Sequence, residues 1–192
     1  MSRSRLLPLT FAAFLCLPAV PSRAANVKGV ELADSVVFEG AALKLQGTGV
    51  RKKLGFSVYV GALYLKTATA DAATAVRSDE PKQIVLHFLR DVGGSSLKEA
   101  FEEGFFNNAQ ERLDSLRSRI DALEGYLADG ARKGQRVAFT YLPGLGTRVS
   151  VDGKDRGTIP GRDFMAALWA VWLGEVPASS DLKRGMMGLL KP

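Results

Sequence analysis

The 192-residue chain contains one cysteine and one histidine. A single Cys excludes a disulfide framework and any thiolate-ligated zinc or iron–sulfur centre. A single His, His87, argues against a histidine-built metal site or proton relay. The nucleophile elbow GxSxG, the zinc motif HExxH and the phosphate-binding P-loop are all missing. Gly47-Thr48-Gly49 and Gly144-Leu145-Gly146 each lack the third glycine and the strand–turn–helix setting of a dinucleotide site. With 20 Gly and 8 Pro the chain is neither collagen-like nor of low complexity. No cofactor and no metal is expected.

Charge of one sign is also scarcer than it first looks. Lys and Arg number 26 against 20 Asp and Glu, a net of +6 that would suit a polyanionic partner. Residues 1–24 read as a secretory signal: Arg3 and Arg5 form a positive start, Leu6 to Val20 is apolar, and Ser22 and Ala24 are small residues at the positions a signal peptidase reads. The apolar stretch is interrupted by Pro8 and Pro18 and falls short of the ~20 residues that span a bilayer. Leu15 before Cys16 argues against lipoprotein processing. Cleavage near Ala24-Ala25 removes three arginines and no acid, so 23 basic residues face 20 acidic ones, a net of +3 over 168 residues. The expectations are a periplasmic or secreted, cysteine-free, monomeric domain over residues 25–192, with no integral membrane span and no nucleic-acid partner.

What remains has the pattern of an α+β domain. Short apolar stretches alternate with Gly and Asp from Val27 to Leu45, as in a meander of short strands. Gly55–Leu65 is rich in β-branched and aromatic residues, and neither of its faces is polar, so it is expected to be a central strand covered on both sides. Period 2 puts Phe56, Val58, Val60, Ala62 and Tyr64 on one face and Ser57, Tyr59, Gly61, Leu63 and Leu65 on the other. Residues 66–82 read as a short helix or loop and Gln83–Leu89 as a strand. Ser96-x-x-Glu99 is a capping box opening a helix with Leu97, Phe101 and Phe105 on one stripe. Leu113, Leu116, Ile120, Leu123 and Leu127 predict an amphipathic helix over 111–127 that packs on the sheet. A strand meander over 135–159, a helix with Phe164, Leu168, Trp169 and Trp172, and a last short helix capped by Ser180 or Asp181 complete the chain.

His87 reads as a strand histidine rather than a base, and the Trp169/Trp172 pair as core. In the basic triplet, Lys52 and Lys53 suit a solvated hairpin tip. Arg51 precedes the strand displaying Tyr59, and a guanidinium fork with a phenol over an apolar surface makes an anion receptor.

Leu45-Gln-Gly-Thr-Gly-Val-Arg-Lys-Lys with Phe56-Ser-Val-Tyr-Val-Gly-Ala-Leu-Tyr-Leu, and then Ile159-Pro-Gly, Ala167-Leu-Trp-Ala-Val-Trp-Leu-Gly-Glu-Val-Pro and Asp181-Leu-Lys, resemble the bacterial branch of the chalcone isomerase-like family. The resemblance implies an open-faced β-sandwich, a large antiparallel sheet with helices packed on one face and a ligand cleft between them. In relatives that bind fatty acids, an arginine and a tyrosine at the positions of Arg51 and Tyr59 hold the carboxylate. In the plant isomerases the same arginine stands over the reacting oxyanion, the Tyr59 position is a threonine, and a helix carries a tyrosine and an asparagine where this chain has Leu97 and Gly104.

The expected function is binding of a small amphiphilic carboxylate, such as a fatty acid, in a cleft headed by Arg51 and Tyr59. One alternative is an isomerase or intramolecular lyase acting on a chalcone-like enone, with Arg51 and Tyr59 as the catalytic candidates. A second is an envelope interaction module that uses an exposed apolar seam of the 111–127 helix.

Overall fold

The computed structural model describes residues 25–190. The expected signal segment, with Cys16, lies outside them. Two short strands, β1 (Ala25–Val27) and β2 (Val30–Leu32), pair as an isolated hairpin. Seven more form one sheet: β3 (Ser35–Phe38), β4 (Ala41–Lys53), β5 (Phe56–Leu65), β6 (Lys82–Phe88), β7 (Arg136–Leu142), β8 (Gly146–Val151) and β9 (Lys154–Ile159). Their spatial order is their sequence order and every pair is antiparallel. The helices are α1 (Ala72–Arg77), α2 (Gly94–Ala109), α3 (Leu113–Tyr126), α4 (Arg162–Leu173) and α5 (Ser180–Met186). The α+β architecture with helices on one sheet face is thus as the sequence implies.

β5 is an interior strand, third of the seven, and its two-sided apolar pattern is explained by two separate cores. Leu63 and Leu65 face a large core with Ile84, Leu86, Phe139 and the apolar stripes of α2, α3 and α4. Val60, Ala62 and Tyr64 face a smaller one with Leu43, Val85, Ala138 and the β1–β2 hairpin residues Val30 and Leu32. The Tyr64 hydroxyl donates to the Ala33 carbonyl at 3.0 Å, tying that hairpin to the sheet.

Leu116, Ile120 and Leu123 of α3 are fully buried in the large core. The exposed seam required of an interaction module is therefore absent, and the helix packs on the sheet as its spacing predicts. Three local readings change. Helix α2 starts two residues before the predicted capping serine, with Gly93 as N-cap and Ser96 inside its first turn. The start is set by packing: a Cβ on Gly94 would lie 1.9 Å from the Ala128 carbonyl oxygen, so only glycine lets the helix begin there. The last helix is capped by Ser179, whose Oγ accepts from the Leu182 amide. Finally, Arg51-Lys52-Lys53 is the end of β4 rather than the hairpin tip, which is Leu54-Gly55.

The glycines of β4, which make no dinucleotide loop, are a docking surface for α5. A Cβ on Gly47 would lie 2.4 Å from the Gly185 carbonyl oxygen, one on Gly49 2.7 Å from that of Leu182, and one on Gly185 2.4 Å from that of Thr48. Helix and strand therefore meet backbone to backbone. An unexpected charge is buried as well. Lys82 is fully enclosed and its ammonium donates to the carbonyls of Ala75, Val76 and Ser78 at 2.7, 3.0 and 2.8 Å, closing the C-terminal end of α1. Burial, reinforced by the charge of Arg162, pulls its pKa down to about 7.

The α5–β4 contact predicts opposite outcomes for two helical glycines. Gly185→Ala overpacks the joint and should cost about 2 kcal/mol in urea unfolding. Gly125→Ala, on α3 with open space around it, should raise stability by up to about 1 kcal/mol. Equal effects at both positions would contradict the close contact.

Candidate functional site

The cleft lies between the sheet and α2, at the end of the sheet where β4 turns into β5. It encloses about 580 Å³, within the range of small-molecule sites. Tyr59, Leu86 and Phe88 form its floor; Leu97, Phe101 and Gly104 of α2 form one wall; Val171 and Trp172 of α4 close its inner end. Most of this lining is apolar. The charged groups are Arg51, Lys53, Arg90, Asp91 and Glu103.

Arg51 and Tyr59 are direct cross-strand partners in the β4–β5 ladder. Opposite residues in an antiparallel pair project to the same face, so this register brings both side chains to the cleft they line. Immediately after them the ladder is interrupted, with Arg51 paired to Tyr59 but Lys52 to Ser57. That irregularity, with Val58 as the extra residue, shifts the alternation of β5 and overturns part of the period-2 reading: Phe56 and Val58 line the same cleft as Tyr59. A bulge re-aims side chains in this way.

Tyr59 is held by a helix far away in sequence. The Trp172 indole Nε1–H donates to the Tyr59 hydroxyl at 3.0 Å, and the Tyr59 ring packs on Phe88 with centroids 5.6 Å apart. Burial pushes the Tyr59 pKa up to about 12, against the opposing influence of the Trp172 hydrogen bond and the Arg51 charge. The phenol is therefore neutral at physiological pH. Its oxygen accepts from Trp172, so its O–H is left to donate, and it makes no such bond among the described residues. Arg51 Nη1 donates to the Lys52 carbonyl, and no carboxylate among the described residues pairs with its guanidinium. A half-buried neutral donor beside a cation with no carboxylate partner is an arrangement that can hold an anion.

Trp172 belongs to this site although its sequence context marks it only as core. It is both: 2% exposed, T-shaped against Phe101 at 5.9 Å, and bonded to Tyr59. No local signal could reveal a bond across 113 residues. Arg90, two residues after the end of β6, is the other residue missed; its guanidinium lies 5.1 Å from the Phe56 ring centre. His87 points to the opposite sheet face, half-buried, and burial lowers its pKa. Among the described residues no three His, Cys, Asp or Glu side chains stand close enough to share a metal ion.

A family profile described as chalcone isomerase-like matches residues 24–188. The chain belongs to the chalcone isomerase-like family. Solved structures that it matches include a fatty-acid binding protein from Arabidopsis thaliana, with a TM-score of 0.67 over 86% of this chain and 96% of that one, at 14% identity. That likeness establishes the chalcone isomerase-like fold. No curated protein matches the chain in sequence.

Within this fold, Leu97 and Gly104 both face the cleft, where the plant isomerases are expected to carry tyrosine and asparagine. Gly104 cannot take a side chain as the helices stand. A Cβ there would lie 2.7 Å from Cγ1 and 2.9 Å from Cγ2 of Val171, because α2 and α4 cross at this glycine. Gly104→Ala should therefore destabilise the protein by about 1–3 kcal/mol in thermal or urea unfolding. Val171→Ala in the same chain should recover much of that loss. Simple additivity of the two substitutions would show that the crossing is looser than described.

Proposed function

We propose that this chalcone isomerase-like protein is a binder of one small amphiphilic anion, a fatty acid or similar carboxylate, rather than a chalcone-cyclising enzyme. The observation that carries the reading is the pairing of Arg51 with Tyr59 on the floor of an apolar cleft. In this reading the guanidinium and the Tyr59 O–H hold the carboxylate, and Phe88, Leu97, Phe101 and Val171 surround the hydrocarbon. The fatty-acid binding of the Arabidopsis structure with the same fold supports the choice of ligand class.

The magnitudes divide the labour. A hydrogen bond to a charged group contributes about 1.5–3 kcal/mol, whereas each buried methylene contributes about 0.8 kcal/mol. Affinity comes mainly from the tail, and the head-group residues decide which chemistry is accepted and which way round it lies.

The isomerase reading needs a group that moves a proton or stabilises an oxyanion on an enone. Arg51 could supply the charge. The tyrosine and asparagine that accompany it in the plant enzymes are replaced here by Leu97 and Gly104, and Tyr59 holds its proton up to about pH 12. These features favour holding an anion over turning over a neutral substrate. We further propose that the protein is exported, with residues 1–24 as a cleaved signal. The Arg3/Arg5 start, the short apolar stretch and the small residues before Ala25 support this.

Arg51→Ala should weaken binding of a long-chain carboxylate about 10- to 100-fold, the equivalent of about 1.5–3 kcal/mol. It should leave binding of the corresponding alcohol nearly unchanged, both read by displacement of a fluorescent fatty acid. Equal losses for the two ligands would remove Arg51 from the head-group site. Loss of chalcone absorbance above the uncatalysed rate, abolished by the same substitution, would establish the isomerase instead.

A further inference from the structure

The mouth of the cleft exposes apolar side chains where a soluble hairpin has no use for them. Lys53 pairs with Phe56, leaving Leu54-Gly55 as a two-residue turn with φ of +51° and +81°. Both central positions of such a turn need positive φ and are dominated by Asn, Asp and Gly. Leu54 accepts an unfavourable backbone conformation and still has 89% of its surface exposed. Phe56 is 63% exposed beneath the Arg90 guanidinium, and across the opening Val176 is exposed as well. Cations surround this apolar tip: Lys52 and Lys53 precede it, both exposed, and Arg90 stands over Phe56. Of the cleft acids, Asp91, next to Arg90, accepts from the Lys133 amide, and Glu103 belongs to the α2 wall.

We propose that the Leu54-Gly55 hairpin tip is a membrane-docking element that inserts Leu54 and Phe56 into the interface of a bilayer containing anionic lipid, with Lys52, Lys53 and Arg90 at the head groups. The charge is complementary to such a surface, where basic residues are attracted and apolar Leu and Phe side chains bury at the boundary of head groups and acyl chains. The docking point is also where the cleft opens. A molecule with a long hydrocarbon tail would pass between bilayer and cleft without crossing water, and to this extent the inference builds on the amphiphile-binding reading. The docking itself requires no ligand.

The test uses the full chain with vesicles carrying brominated acyl chains and reports locally, so that attachment through any other segment is separated from docking at the hairpin. The Leu54→Trp variant is compared with Leu145→Trp, at the exposed turn between β7 and β8 on the opposite end of the sheet. With phosphatidylglycerol/phosphatidylcholine vesicles the indole at position 54 should be quenched several-fold more than that at position 145. Pure phosphatidylcholine should quench it little. Lys52→Glu with Lys53→Glu in the Leu54→Trp chain should weaken the apparent vesicle affinity by about tenfold or more. Equal quenching at positions 54 and 145, or quenching indifferent to lipid charge, would overturn the proposal. Selective quenching in a protein that fails to bind fatty acid in vesicle-free solution would uphold docking and reject the ligand reading.

Discussion

The cleft depends on the register of β4 against β5. That one pairing sets Arg51 opposite Tyr59, places the irregularity that brings Phe56 and Val58 to the same face, and aligns Gly47 and Gly49 under α5. A slip by one residue would send every side chain of β4 to the other face. The guanidinium would then leave the cleft, and Leu43 would leave the small core it fills beneath the β1–β2 hairpin. Register is held from several directions: both faces of β5 are buried, and the backbone contact with α5 admits only glycine. The geometry of the cleft is therefore a consequence of packing that would be needed in any case.

The same economy governs Tyr59. Its hydroxyl receives the indole N–H of Trp172, itself locked by Phe101 and Phe139 in the large core. Preorganisation of this kind matters because a donor already fixed in place loses little conformational freedom when a ligand arrives. A phenol is neutral at physiological pH and burial raises its pKa further, so a cation and a neutral donor share the site. Arg51 remains without an acidic partner among the described residues, and an anionic head group would complete the arrangement.

The legible parts of the sequence were those carried by short-range pattern. The two-sided apolar run of Gly55–Leu65 identified an interior strand covered on both faces, the spacing of Leu116, Ile120 and Leu123 identified a core helix, and the turn residues placed the hairpins over 135–159. Arg51 and Tyr59 were singled out because residue chemistry and a family resemblance pointed to the same two positions, and the β4–β5 register pairs them on the cleft. What stayed hidden was made by distant segments meeting. The Trp172–Tyr59 bond joins the fifth strand to the fourth helix. Lys82, the last residue of the stretch read as a short helix or loop, instead begins β6, and it is buried because the short helix before it turns its last carbonyls inward. Ser96 carried a genuine capping pattern, and the helix started earlier because Gly94 could lie against Ala128. Strict alternation along β5 failed at Phe56 and Val58 because a bulge leaves no mark on residue spacing.

The central claim is that one ionised head group sits between Arg51 and Tyr59. It is tested most directly by 13C NMR of a fatty acid labelled at its carboxyl carbon and bound to the folded protein across a pH titration. A carboxylate beside an uncompensated guanidinium has its pKa lowered. The account predicts a bound resonance that keeps its ionised chemical shift through the pH range in which the free acid protonates, and that loses this resistance in Arg51→Ala. A bound resonance that titrates with the free acid would place the head group elsewhere and contradict the account.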